Sequence, residues 1–491
     1  MDMAHKRFSR MGSPWPLVAS FGVLIVYLPL VVRRYAWSDD YPFLTELDAE
    51  TFFSRGRPVS GLVQFVGFHL VQNIEGLRYL RIVGLLGVCS LVCWIASYLI
   101  RLGLAPMTST LLALSCGFLP TFHSSAAWAT TFTSAWICLA GAVATTSWVD
   151  GISNRRTGQC SGAVLLMATA LLSYPPAAMF CWAVIALRLA VERPPARIAC
   201  RLVVHTGLLV GSGTVLSFIV VTVIGKISPA GSTSQFRFVD SIPSAIEKVG
   251  WFLTHPVLVA ARPFVTWSPS PLEAATTALP VLVVIGFGSY LATTGQMSER
   301  LLLLVLLGTA FSLTFVSHLV ASDNQIEYRF MTGITVVAWV LLVLGTRSII
   351  LLLWGSRRGL RSLQTVGLLL LGAITSLTAL EARNSIDRLM IGPSVSKESY
   401  LREQLINFEP TMHQRILVIF PEEWPSTPRL GVFSTVTDLS HPWVVEPHLR
   451  LILDEHGMDG WLPEIEVRST SQPTDQGEFE LDFRPYVTSL S

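Results

Sequence analysis

Residues 202–224 read LVVHTGLLVGSGTVLSFIVVTVI, with no Asp, Glu, Lys or Arg among them. Charged residues stand just outside, at Arg201 and Lys226. A helix needs roughly 20 apolar residues to cross the hydrocarbon of a bilayer. This run meets that length, and it predicts a membrane-spanning helix. Comparable runs lie on either side of it, at 14–32, 79–100, 105–121, 127–149, 161–174, 176–191, 272–293, 301–320, 330–354 and 363–382. Together they predict about eleven spans and a polytopic α-helical membrane protein. The fifth and sixth runs meet at Tyr174-Pro175-Pro176, where proline interrupts helical hydrogen bonding and predicts a tight hairpin or a kinked pair.

Composition agrees. Of the residues, 51% are hydrophobic and 14% charged, against roughly 25% charged in a soluble domain. The net charge of +2 gives no argument for a nucleic-acid partner. Cys89, Cys93, Cys116, Cys138, Cys160, Cys181 and Cys200 sit in apolar runs or beside basic loops, without metal-ligand or disulfide spacing. Lys6, Arg7 and Arg10 precede the first run, which no small-residue cleavage site follows. That pattern predicts a retained signal anchor.

Basic residues set the expected orientation. With the N-terminus in the cytoplasm, Arg101, Arg155-Arg156, Arg193, Arg197, Arg201, Arg300, Arg357-Arg358 and Arg361 all fall inside. An odd number of spans then places the tail outside. Two long outer loops are expected, at 33–78 and 225–271. Each holds an apolar stretch too short to span, Val59–Val71 and Trp251–Val265, and both are expected to lie in the interface. In the first, Leu62, Phe65 and Phe68 alternate with Gln64, His69 and Gln72. The domain division is therefore 1–382 for the membrane part and 383–491 for a small extracytoplasmic α/β domain. Helices are expected at 398–408 and 441–456, and strands at 415–420 and 478–483.

The strongest chemical signal is Trp37-Ser38-Asp39-Asp40-Tyr41-Pro42, just beyond the first span. Two adjacent acids at a membrane surface are costly unless solvated, paired or used. Used, one is a general base and the other its orienter or a ligand for a divalent cation. Asp40 is the favoured base, because Tyr41 and Pro42 set it at a turn. The alternative is a solvated acidic turn. Arg55-Gly56-Arg57-Pro58 follows. The proline holds Arg57 extended, and guanidinium groups grip phosphate through paired donors. The alternative is that Arg55 and Arg57 reach to lipid headgroups.

These motifs, with Arg78-Tyr79-Leu80-Arg81 and Tyr174-Pro175-Pro176, resemble the membrane glycosyltransferases of the GT-C superfamily, most closely the bacterial GtrII-type glucosyltransferases. The likeness by motif covers roughly the first 190 residues; the rest is similar in topology alone. The resemblance implies a polyprenyl-phosphate sugar donor, an envelope glycan or glycolipid acceptor, and a site at the outer face of the bacterial cytoplasmic membrane. It implies that Asp40 or Asp39 deprotonates the acceptor while Arg57 and Arg55 meet the donor phosphate. Apart from the resemblance, Arg329, between the ninth and tenth runs, and Arg262, after His255-Pro256, are further candidates to hold phosphate, a solvated turn and a side chain reaching to headgroups being the respective alternatives. Tyr41, His123, Tyr174, Glu327 and Asp323 are the further candidates for substrate contact. A glycan polymerase or a lipid-linked sugar flippase is the competing class. A flippase is disfavoured because charges sit at span ends and in loops rather than inside the spans.

Overall fold

The computed structural model describes residues 14–47, 52–53, 56–227, 238–264, 271–292, 296–324, 326–354, 360–406, 408–409, 415–419, 442–455, 464–468 and 478–484. Helix α1 (Trp15–Val32) leads into a first long segment carrying α2 (Asp40–Thr45) and α3 (Pro58–Val71). Next come α4 (Leu77–Arg101), α5 (Pro106–Gly117), α6 (Pro120–Ala127), α7 (Ser134–Ser153), α8 (Thr157–Ser173), α9 (Pro175–Ala178), α10 (Phe180–Glu192) and α11 (Ala196–Ile227). A second long segment carries α12 (Ile242–Thr254) and α13 (Pro256–Ala260). Helices α14 (Pro271–Ala292), α15 (Met297–Leu313), α16 (Val316–Val320), α17 (Thr332–Trp354) and α18 (Leu360–Ile386) complete the apolar part. Pro58, Pro106, Pro120 and Pro175 each open a helix, where a missing N–H costs nothing and a fixed φ helps.

The protein is a helical membrane protein. Among the described residues, 8 helical segments are long and apolar enough to cross a bilayer. The other expected spans are helical but shorter: α5 has 12 residues, α8 has 17 and α15 has 17. The uncharged run that opened the reading lies inside α11, which leaves Val215, Phe218, Ile219 and Val223 exposed. An apolar face of this kind is stable only against hydrocarbon. At Tyr174 the chain leaves α8, makes the single turn α9 and enters α10, so the two prolines produce a break rather than a bent continuous helix. Helices α14 and α17 approach most closely at Gly288 and Gly345; a Cβ on Gly288 would lie 2.3 Å from the Gly345 Cα. Small residues permit such backbone contact between membrane helices.

Helix α3 corrects one expectation. Its exposed side is mostly apolar, with Leu62, Val66 and Leu70 beside His69, while Gln64 and Phe68 are buried. The polar residue turns inward because it has a partner there: the Gln64 amide donates to the Thr130 carbonyl at 2.5 Å. A largely apolar outer face, with the polar amide donating inward, is the arrangement a bilayer favours.

Beyond α18 the helix does not stop at residue 382. It continues through a π-helical turn (Asp387–Ile391) into α19 (Gly392–Leu405). The tail then contributes β1 (Arg415–Ile419), α20 (Pro442–Glu455), β2 (Glu464–Arg468) and β3 (Glu478–Asp482). Both β2 and β3 pair with β1 in parallel, giving the order β2-β1-β3. Ile416 and Val418 of β1 pack with Leu401, Leu405, Leu449, Ile452 and Leu481 in a small core. The β2 strand adds to the expected elements, and its Glu464, Glu466 and Arg468 alternate with Ile465 and Val467 as a half-buried strand does. The tail is seated on the first long segment. Val444 and Leu451 of α20 join Tyr41 and Phe68 in one cluster, and Arg34 meets Glu455 at 2.6 Å and Glu398 at 3.2 Å.

Candidate active site

The two adjacent aspartates have opposite fates, and the chain turns between them and the first span. Ser38 lies in the left-handed region, with φ 46°, an uncommon state for a residue with a side chain. The chain reverses there and α2 begins. Asp40 points inward and is fully buried. Its Oδ2 accepts from the Trp37 backbone N–H at 3.0 Å. Its Oδ1 accepts from the Thr130 N–H at 2.8 Å and from the Thr130 hydroxyl at 2.7 Å. Thr130 is itself held by Gln64. Asp40 thus ties the first long segment to the turn before α7. This corrects the choice of Asp40 as the favoured base: the structure buries it completely and engages both its oxygens, and it is Asp39 that faces Arg329.

Asp39 takes the other direction. Its side chain is 24% exposed and faces Arg329 at 3.9 Å. Arg329 pairs with Glu327 at 2.5 Å and lies over the rings of Trp128 at 4.7 Å and Phe330 at 4.9 Å. Arg57 lies over the Tyr174 ring at 5.0 Å, and Tyr174 is 6.1 Å from Phe330. The charges of Arg329, Arg57, Glu327 and Asp39 all act on the Tyr174 hydroxyl. Four stretches far apart in sequence, at 39, 57, 174 and 327–329, therefore converge. Gly56 makes the approach of Arg57 possible, with φ 68° where a side chain would be strained. Arg57 itself has ψ 55° rather than the fully extended value expected before proline.

The cluster has two arginines and two carboxylates against aromatic walls. Burial pushes the Glu327 carboxyl above the usual carboxylate range, and the neighbouring Arg329 pulls it back. Arginine keeps its charge in such a setting and presents a planar fork of donors. Asp39 combines a less buried carboxylate with a cation beside it. The arrangement can hold an oxyanion and accept a proton within one small volume.

The other candidates separate. Arg262, 7% exposed, lies in the turn after α13, where its charge acts on the hydroxyl of Tyr328, the neighbour of Arg329. Asp323 is exposed, and it is its backbone carbonyl that is engaged, accepting from Lys248 at 2.6 Å. His123 belongs to the packing of α1 against α6: its Nε2 donates to the Phe118 carbonyl at 3.1 Å and its ring meets Tyr27 at 6.0 Å. Tyr41 is covered by the tail, stacked on His448 at 3.9 Å with Lys397 4.7 Å from its ring centre. That cover corrects its selection as a substrate contact. Arg55 lies outside the described residues.

Sequence reasoning missed Trp128, Thr130 and Phe330, which wall or brace the site, and Lys248, which braces the 323–324 turn. Thr130 and Trp128 fall at a span end, where hydroxyls and indoles are ordinary. Lys248 carried a signal: it is the lone lysine in a segment whose Ile242, Ile246, Val249 and Leu253 repeat at helical spacing.

Asp40 makes a test of its structural role. Burial raises its carboxyl from 3.8 to about 6. A raised folded value means that the native state binds the proton more tightly, so this group's contribution to stability grows as pH falls through about 6. Asp40→Asn cannot titrate, and its amide NH₂ opposes one of the three donors. We expect it to cost about 1–3 kcal/mol at neutral pH. The gap should widen in favour of wild type between pH 7 and pH 5. Thermal unfolding of both proteins across that range measures it, and a gap that narrows would contradict the assignment.

Compared with models of protein families and with curated proteins, the chain matches none, so the chemistry of the site rests on its own arrangement.

Proposed function

We propose that the protein is a GT-C-like glycosyltransferase, moving glucose or another hexose from a polyprenyl-phosphate carrier to an envelope glycan or glycolipid. In this reading the shorter helices α5, α8 and α15 also cross, making eleven spans. The N-terminus is cytoplasmic, and the site and the tail face outward across the bacterial cytoplasmic membrane. The observation that supports the reading most is the meeting of Asp39 with Arg329, Glu327, Arg57 and Tyr174 from separate segments. Clustered acids and cations in a walled site are the usual setting for proton transfer beside a charged leaving group.

The reaction assigns each group a task. A sugar hydroxyl is a poor nucleophile until a positioned base takes its proton, and Asp39 is that base. The hydroxyl oxygen bonds to the anomeric carbon, the bond from that carbon to the phosphate oxygen breaks, and the electron pair leaves on lipid phosphate. Arg329 and Arg57 stabilise the negative charge as it develops. Glu327 orients Arg329, and Tyr174 sets the plane over which Arg57 lies. A lipid-linked donor explains why the site is built where the spans end, since the tail stays in the bilayer while the phosphate reaches the cluster.

Purified protein in proteoliposomes, given a panel of labelled polyprenyl-phosphate hexoses and envelope glycan, tests this. The expected result is label on the acceptor and release of polyprenyl phosphate. Movement of donor across the bilayer with no bond broken, or no transfer from any donor, would overturn the reading.

A further inference from the structure

The second long segment does two things at once. One face of α12 is bare and apolar: Ile242 is 77% exposed, Ile246 67%, Val249 55% and Leu253 55%. These four stand at i, i+4, i+7 and i+11, a single helical stripe. The opposite face buries Lys248 and Phe252. Lys248 Nζ donates to the Asp323 carbonyl at 2.6 Å and to Asn324 Oδ1 at 2.8 Å, and lies 4.4 Å from the Trp251 ring centre. Phe252 stacks on Phe315 at 6.0 Å. Ahead of α12, the Val239 N–H donates to the Val320 carbonyl at 3.0 Å, and Phe238 bridges Ala321. The stretch from Val320 to Asn324 is therefore held at both ends by 238–252. A few residues later the same stretch delivers Glu327 and Arg329.

We propose that 238–254 is a clamp resting in the headgroup–acyl boundary of the bilayer, and that Lys248 is a positioning residue that fixes the segment carrying Glu327 and Arg329. The occupant of the apolar stripe is lipid. The segment joins α11 to α14, whose exposed Val215, Phe218, Val283 and Phe287 form the continuing lipid-facing surface, and a short amphipathic helix between spans lies in the interface plane. Lysine suits the other face. Its ammonium group satisfies two acceptors that a turn leaves open, and the same charge lies over the Trp251 ring. Only the tasks given to Glu327 and Arg329 rest on the glycosyltransferase reading; the clamp itself does not.

Backbone hydrogen exchange over 320–329, followed by mass spectrometry in nanodiscs holding one copy each, tests the clamp without any turnover. Lys248→Met keeps the stem and removes the donors; exchange over this stretch should rise by about tenfold. Ile246→Asp with Val249→Asp charges the lipid face alone and should accelerate the same peptides. Wild-type exchange in the first variant would overturn the role of Lys248. Wild-type exchange in the second would overturn lipid as the occupant. In the transfer assay Lys248→Met should lower kcat by about 10–100-fold through misplacement of Arg329, with a smaller change in donor KM. If wild type transfers nothing, the exchange result still decides the clamp. If wild type is active and kcat is unchanged, the positioning role fails.

Discussion

Asp39→Asn is expected to lower sugar transfer by about 10²–10⁴-fold, with stability changed by less than about 1 kcal/mol. The two halves of that statement have different origins. Loss of activity follows from replacing the basic carboxylate by an amide that cannot take a proton at neutral pH but keeps size and polarity. Retention of fold follows from geometry. The contact of Asp39 with Arg329 is long, at 3.9 Å, and both side chains keep access to solvent, so little stability depends on it. Asp40→Asn should show the reverse pattern, with its main cost in unfolding temperature. Transfer rates and thermal unfolding for the two variants together decide which acid is the base. Equal transfer by Asp39→Asn and wild type would sink the mechanism.

Arg329→Gln should lower kcat by about 10²–10³-fold, the usual cost of losing one preorganised group at a developing oxyanion. This variant also disturbs the fold, because Glu327 then keeps a half-buried charge without its 2.5 Å partner. Pairing it with Glu327→Gln removes both charges. The double variant should recover most of the lost unfolding temperature and none of the activity. Arg329→Lys separates charge from shape. It restores a cation but not the planar fork or the stacking over Trp128 and Phe330, so partial recovery is expected. Activity returning in the double variant would show that Arg329 matters for folding alone.

The tail bears on this site through packing. His448 and Lys397 enclose Tyr41, and Arg34 is held by Glu455 and Glu398. Together with Arg81, whose guanidinium donates to the Tyr35 carbonyl at 2.8 Å and the Arg33 carbonyl at 3.1 Å, they stiffen residues 33–41 on both sides of the turn at Ser38. The direction in which Asp39 points is thus set by contacts from α4, α19 and α20. Arg78-Tyr79-Leu80-Arg81 stood out in the sequence, and its second arginine now has a structural reason to be there.

The membrane helices were legible from composition alone. Hydrocarbon accepts a helix only when its side chains are apolar over the whole crossing, so a run such as 202–224 admits one reading without knowledge of any neighbour. The tail elements at 415–419, 442–455 and 478–482 were legible for a similar local reason, since their periodicity is complete within each element. The site was legible only as a set of suspects. Asp39 and Asp40 are adjacent and chemically identical, and nothing local says which is enclosed. That was decided by Thr130, 90 residues away, and by a backbone reversal at Ser38. The meeting of Arg57, Tyr174, Glu327 and Arg329 belongs to tertiary structure for the same reason. Each residue sits at a span end or in a loop, where a polar side chain is ordinary, and only the packing of segments remote in sequence turns four ordinary positions into one charged cluster.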